Sequence, residues 1–137
     1  MKDTTYTITF IESQLQEIIT AIDLVGRLQM GQTEMLIEPY GVFGNRIKHK
    51  DVPQLEDAVN TLKDIIFPEI SRSSYYGIYG DKTAGSAKVL YDIQQVLRHS
   101  IAWHNNPQGG HTVDFGDPLQ ASQNQPLPTV TNIKDPS

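Results

Sequence analysis

The sequence contains no cysteine. Disulfides and thiolate metal sites are therefore excluded, and the composition fits a reducing cytoplasm. No apolar run approaches the roughly 20 residues that a membrane-spanning helix requires. The first ten residues, MKDTTYTITF, lack the apolar core of a signal peptide. The eleven Lys and Arg residues are scattered without a run, so there is no polybasic patch for a membrane surface. A net charge of −5 argues against long nucleic acid as a partner, because a polyanion is captured mainly by summed positive charge. A small anion is a different matter, since a few local arginines can hold one inside an acidic protein.

What is present is enough for one domain with a modest core: 137 residues without an internal repeat or a linker. Tyr6, Ile8 and Phe10 alternate with Thr5, Thr7 and Thr9 and predict a half-buried β-strand. Ser13 is the expected N-cap of a first helix, with Glu17 in its opening turns. Leu15, Ile18, Ile19, Ile22 and Val25 give that helix its stripe, and it is expected to run from about residue 14 into the thirties. Asp51 is the expected cap of a second helix, which carries Pro53 in its first turn and ends at Pro68. Residues 71–84 form a long loop of Ser, Gly and Tyr, a length more often functional than passive. A third helix is expected over residues 85–104, with Val89, Leu90, Ile93, Val96, Leu97 and Ser100 facing the core. HTVDF (residues 111–115) and LPTVTNI (residues 127–133) read as two further short strands, the last at a sheet edge beside Pro126 and Pro128. Residues 134–137 read as a frayed tail. The expected fold class is α+β, a single domain of three helices with a small antiparallel sheet.

Two groups of residues point to a ligand with a flat base and a phosphate. Gly26 and Gly31 interrupt the first helix pattern, each at about 1 kcal/mol relative to alanine. Between them Arg27, Met30 and Gly31 stand at i, i+3 and i+4 and share one patch of surface, away from the stripe of Ile18 and Ile22. An arginine, a polarizable thioether and a bare backbone N–H suit an adenine and its phosphate; Arg27 is equally readable as a plain surface residue. On the third helix, Tyr91 and Arg98 stand seven residues apart opposite the core stripe, with Asp92, Gln95 and His99 on the flank between. Tyr75, Tyr76 and Tyr79 precede that helix. They read either as a stacking surface beside Arg98 or as core aromatics under a loop, and Arg98 reads either as a pocket residue or as a solvated partner of Asp92.

Other chemistry is poorly supported. The four histidines form neither HExxH nor HxH, and no carboxylate falls at ligand spacing, so no metal site is expected. Ser100 beside His99 is no nucleophile and base, because adjacent helical residues point about 100° apart. The stretch GIYGDKTAGSAK lacks the spacing of a phosphate loop, and the opening of a helix at Gly85 and Ser86 is either an anion seat or an ordinary N-terminus.

The order and separation of three segments resemble a known family, the first described type of bacteriophage Thoeris anti-defence sponge. They are Gly26-Arg27-Leu28-Gln29-Met30-Gly31-Gln32, Tyr76-Gly77-Ile78, and Tyr91-Asp92-Ile93-Gln94-Gln95-Val96-Leu97-Arg98-His99. The resemblance implies a protein without catalytic chemistry or cofactor. It would bind and hold the glycocyclic ADP-ribose isomers made by a TIR-domain defence enzyme in the host bacterial cytoplasm. It further implies a homo-oligomer, a hexamer in the family, with pockets between protomers. Some members also hold the cyclic di- or trinucleotides of CBASS immunity at a separate site. By resemblance, Tyr76 would stack on adenine in the cyclic ADP-ribose pocket, where the family often has phenylalanine. Arg98 would contact the phosphates, with Arg46 as a second contact, and Arg27, Met30 and Gly31 would form the trinucleotide seat. The family's further pocket asparagine has no counterpart in residues 81–86. The rival functions are an enzyme that degrades the same signals, and a structural or partner-binding phage protein with no small ligand.

Overall fold

A computed structural model of the chain describes residues 3–136. Three α-helices carry the structure: α1 (Glu12–Gln29), α2 (Val52–Ile66) and α3 (Gly85–Asn105). Short 3-10 turns lie at Thr33–Ile37, Gly44–Arg46, His49–Asp51 and Val113–Phe115. α1 packs along α3, whereas α2 lies against the Thr33–Ile37 turn rather than against either of the other helices. Among the described residues no helix is long and apolar enough to cross a membrane. Met1, Lys2 and Ser137, the ends of the segments read as N-terminus and tail, lie outside the described residues.

The helix ends follow from local chemistry. α1 starts two residues earlier than expected, at Glu12, because Gln14 Oε1 accepts the Ile11 N–H at 3.2 Å and closes the first turn; Ser13 lies inside the helix and does not cap it. It stops at Gln29 rather than continuing into the thirties. Gly31 turns to a φ of +94°, its N–H bonds Leu28 O at 3.0 Å, and Gln32 N–H bonds Arg27 O at 3.0 Å. α2 opens after Asp51, whose side chain makes no capping bond, and closes with Phe67 N–H on Lys63 O at 2.7 Å, just before Pro68.

The expected antiparallel sheet is absent: among the described residues there is no strand, and the fold is helical rather than α+β. Alternation alone does not make a strand, because each ladder hydrogen bond needs a neighbouring backbone. The segment holding Tyr6, Ile8 and Phe10 has no such neighbour and lies exposed, Tyr6 at 82%. HTVDF coils instead: Phe115 N–H bonds Thr112 O and Gly116 N–H bonds Val113 O. The carbonyls of Asp114 and Phe115 are taken by His99 Nδ1 at 3.0 Å and Trp103 Nε1 at 2.9 Å. In residues 127–133, Pro128 offers no N–H and Asn132 takes a left-handed φ of +57°.

The polar flank of α3 has a structural use that the sequence pattern does not reveal. Asp92, Gln95, His99 and Trp103 stand at spacings of three and four, and they clasp a strap, residues 114–122, that leaves the Val113–Phe115 turn and runs antiparallel to the helix. Gln95 Nε2 donates to Leu119 O at 2.6 Å, and its Oε1 accepts the Leu119 N–H at 3.3 Å. Asp92 accepts the Ala121 N–H at 2.6 Å, the Ser122 N–H at 3.2 Å and the Ser122 hydroxyl. The strap thus receives hydrogen bonds for a backbone that belongs to no sheet. Beyond it, among the described residues, His104 Nε2 bonds Asp135 Oδ1 at 2.6 Å and tethers the tail.

The core is small. Ile19, Ala87, Val96 and Ala121 are the buried hydrophobic residues among those described, and most of the predicted α3 stripe is only half-buried. The accessible surface is 10333 Å², about 3,000 Å² more than a folded monomer of this mass usually exposes. Leu62, Ile65 and Ile66, three residues of α2, contribute to that surplus.

The two glycines of the first helix pattern separate cleanly. A Cβ on Gly31 would meet Ile70 Cδ1 at 3.0 Å in a backbone conformation that side chains avoid; Gly31→Ala is expected to lower stability by about 1–2 kcal/mol. A Cβ on Gly26 would find only ordinary contacts, 3.9 Å from Ala87 O and Leu90 Cβ. Gly26→Ala is therefore expected to raise stability by about 0.5–1 kcal/mol through helix propensity. Denaturant melts of the two variants check both signs.

Candidate functional site

Between α1 and α3, residues 75–78 border a cleft of about 350 Å³. α1 lines it with Ile22, Asp23, Gly26, Arg27 and Met30, positions that recur on one helical face. α3 contributes Ala87, Tyr91 and Gln94 at i, i+4 and i+7, and the loop adds Tyr75 and Tyr76. Three aromatic rings and a thioether thus line one apolar recess, with one arginine, one aspartate and one amide among them. That mixture of apolar walls and a few polar groups is typical of small-molecule sites.

Arg27 is held in place before any ligand arrives. Its Nε–H donates to Asp23 Oδ2 at 3.0 Å, one turn back, and an Nη1–H donates to Gln32 Oε1 at 3.1 Å. Two of the five guanidinium N–H groups are thereby committed and three remain. Its side chain is 41% exposed, so those three are accessible to an anion. Asp23 offsets part of the positive charge and so favours a ligand bound by direct hydrogen bonds over one attracted by field alone.

The tyrosine loop is pinned at several points. Tyr76 N–H bonds Met30 O at 2.9 Å, which fixes the loop to the end of α1. The Gly77 carbonyl accepts the Gly80 N–H and the buried Thr83 hydroxyl. Lys63 reaches in from α2: its Nζ donates to Arg72 O at 2.8 Å and Ser74 O at 2.5 Å, and the residue is only 2% exposed. On the outside of the loop Arg72 pairs with Asp64. That contact draws the Asp64 carboxyl below its ordinary range, the Arg72 hydrogen bond being the chief cause.

The phenols of Tyr76 and Tyr91 are perturbed upward. Tyr76 Oη donates to Glu69 Oε1 at 2.6 Å, which raises the phenol and lowers the carboxyl from their ordinary ranges. The Tyr76 ring also lies tilted against Phe67, centroids 6.5 Å apart. Tyr91 is raised first by burial and then by the neighbouring Tyr79 phenol. Both rings are thus neutral stacking surfaces at physiological pH, available to a flat base.

Gln94 is the odd group of the cleft. It is 8% exposed, and its Oε1 is shielded from solvent without a hydrogen-bond partner. A buried carbonyl left so costs about 1–3 kcal/mol.

The residues singled out from the sequence fall in three places. Arg27, Met30 and Tyr76 come together in this cleft, although the family resemblance divides them between two sites. Gly31 stands outside the lining. Its N–H is spent on Leu28 O, so the bare donor expected there is not available. Arg98 lies on α3 seven residues past Tyr91, about 10 Å farther along the axis, and outside the cleft. It makes no ion pair among the described residues, and its suggested partner Asp92 is engaged by the strap. Arg46 ends an exposed 3-10 turn, also away from the cleft. Sequence reasoning does not single out Asp23, Gln32, Lys63, Glu69 or Gln94. Only Asp23 carries a usable signal, an acid four residues before Arg27.

Elsewhere the chemistry is thinner. No three of His, Asp and Glu gather into a metal-binding group among the described residues. A wider hollow of about 520 Å³ between Trp103, Phe115 and residues 108–112 carries His111 as its one titratable group. Comparison of the chain with protein-family models, with curated proteins and with solved structures finds no match.

Proposed function

We propose that this protein is a phage anti-defence sponge: it binds glycocyclic ADP-ribose signals of TIR-based immunity in the α1–α3 cleft and holds them uncleaved in the host bacterial cytoplasm. The observation that carries the reading is the meeting of Tyr75, Tyr76 and Tyr91 with a pre-oriented arginine that keeps three N–H donors. Base stacking and charge-assisted bonds to phosphate suffice for tight holding without a nucleophile or general base. A dissociation constant of 1 nM corresponds to about −12 kcal/mol.

The reading includes assembly. The surplus surface, about 3,000 Å² per chain, exceeds the roughly 800 Å² that each partner contributes to a standard interface. A homo-oligomer, a hexamer by the resemblance, accounts for it, and sedimentation equilibrium is expected to give a mass several times 15.3 kDa. In such an assembly Arg98 and Arg46 act on phosphates across a subunit boundary, since neither reaches the cleft of its own chain. Cyclic di- or trinucleotides are a second ligand class. Because Arg27 and Met30 share the cleft with Tyr76, the two classes compete for it rather than occupying independent seats.

Isothermal titration separates these roles. Arg27→Ala and Tyr76→Ala are each expected to weaken binding at least ten-fold, and Arg98→Ala to weaken it about ten-fold with the oligomer intact. An unchanged affinity in Arg98→Ala removes that residue from the site. The rival reading, an enzyme on the same signal, predicts a new linear product after incubation. A structural protein without a ligand predicts no thermal shift with any nucleotide.

A further inference from the structure

Of the three helices, α2 alone has no helix beside it; among the helical elements it meets only the turns Thr33–Ile37 and His49–Asp51. Lys63 is buried on its inner side, and Leu55 and Val59 are half-buried. Gln54, Ala58, Leu62, Ile65 and Ile66 recur at spacings of three and four and are all exposed, Ile65 at 73%. At about 100° per residue these five share one arc of the helix, and the acids Glu56, Asp57 and Asp64 fall outside it. The exposed arc is thus apolar apart from one neutral amide and carries no charge. Tyr40, Val42 and Phe43 are exposed as well, on the segment that joins the two turns packed on α2. We infer that this face seats a second copy of the chain, α2 against α2, as an antiparallel pair about a two-fold axis near Leu62. The area fits such an occupant. The chain exposes about 3,000 Å² beyond the usual surface of a monomer of its mass, the α2 arc is part of that surplus, and one partner gives roughly 800 Å² to a standard interface. The charge fits too. In an isologous contact the same patch meets itself, so an arc without charges brings no like charges together although the chain carries a net −5. A foreign partner would find no charge on this arc to recognise.

The pairing names one interface of the assembly in the proposed function and rests on that assembly. Two measurements test it. Ile65→Glu places a carboxylate in the arc, and sedimentation equilibrium is expected to show the assembled mass halved, since one two-fold contact is lost whether the particle is a dimer or a larger ring pair. Circular dichroism is expected to stay helical, because Ile65 is exposed in the single chain. Cross-linking gives the second measurement and does not depend on that variant. The chain has no cysteine, so any link through one introduced thiol joins two copies. With a short bismaleimide, Leu62→Cys is expected to run largely as a dimer on a denaturing gel, and Asp57→Cys, on the far side of the helix, as a monomer. If the wild type is an oligomer, Ile65→Glu keeps its mass and the two cysteine variants link alike, then the α2 pairing is overturned while assembly through another face and ligand holding both stand. If the wild type sediments at 15.3 kDa, the pairing and the proposed assembly fall together, and nucleotide titration of that monomer still decides the sponge reading separately.

Discussion

Replacing Asp92 with alanine is expected to lower stability by about 3 kcal/mol and to free the C-terminal strap. Asp92 is 3% exposed, and no cation neutralises it among the described residues. Its carboxylate is satisfied instead by two backbone N–H groups and a hydroxyl, from Ala121 and Ser122. Removing the carboxylate strands the buried Ala121 N–H and the half-buried Ser122 N–H, which is the costly side of hydrogen-bond accounting. It also unfastens the segment that covers α3, including Ala121, one of the few buried apolar residues. For a chain of this length the loss corresponds to a fall in melting temperature of roughly 10 °C. Limited proteolysis is expected to find new cleavage within residues 114–122 in the variant alone. Asp92→Asn fills the same space but turns one acceptor into a donor facing N–H groups, so it is expected to resemble Asp92→Ala. Wild-type stability in both variants would mean that the strap is held by its other three clasps.

Lys63→Met is expected to reduce ligand affinity about fifty-fold while lowering stability by only about 1–2 kcal/mol. Two effects oppose each other in the fold. The buried ammonium is expensive to desolvate, and methionine relieves that; yet its bonds to Arg72 O and Ser74 O are charge-assisted and vanish with it. The site has no such compensation. Those two carbonyls lie within three residues of Tyr75, and Lys63 ties that approach to α2 from the inside, as the Arg72–Asp64 pair does from the outside. A loosened loop must be ordered again whenever a ligand binds, and that entropy is lost from the affinity. Hydrogen exchange is expected to show reduced protection at Tyr76, whose N–H otherwise bonds Met30 O. Unchanged exchange at Tyr76 together with unchanged affinity would contradict this positioning role.

Much of the helical part is legible in the sequence because apolar periodicity is a local property. The stripe through Ile18, Ile19 and Ile22, and the cap and proline signals around Asp51 and Pro53, locate α1 and α2 closely. The start of α3 at Gly85 is as expected. Gly31 shows the limit of that reasoning. A glycine inside an apolar pattern reads as an interruption tolerated for function, whereas its φ of +94° makes it the stop signal of α1. The expected strands are missing for a different reason. Alternation in Tyr6, Ile8 and Phe10 states a preference for extended backbone, but pairing depends on a partner, and the described residues supply none to that segment.

The site divides along the same line. Helical spacing alone places Arg27 and Met30 together. That Tyr76 joins them depends on Tyr76 N–H reaching Met30 O, a contact between residues far apart in the chain that no local pattern encodes. Lys63 reads in sequence as an ordinary polar position on a helix. It is buried because residues 72–74 fold over it, which is again a property of the assembled chain. Asp92 reads as part of a solvated flank for the same reason, since the residues that cover it, Ala121 and Ser122, lie far later in the chain.

The most direct test of sequestration is titration of purified protein with the glycocyclic ADP-ribose isomers, followed by heating and chromatography of what is released. The account predicts saturable, tight binding, diminished by Arg27→Ala and Tyr76→Ala, and recovery of the ligand chemically unchanged. Absence of binding, or recovery of a linear product, would contradict it.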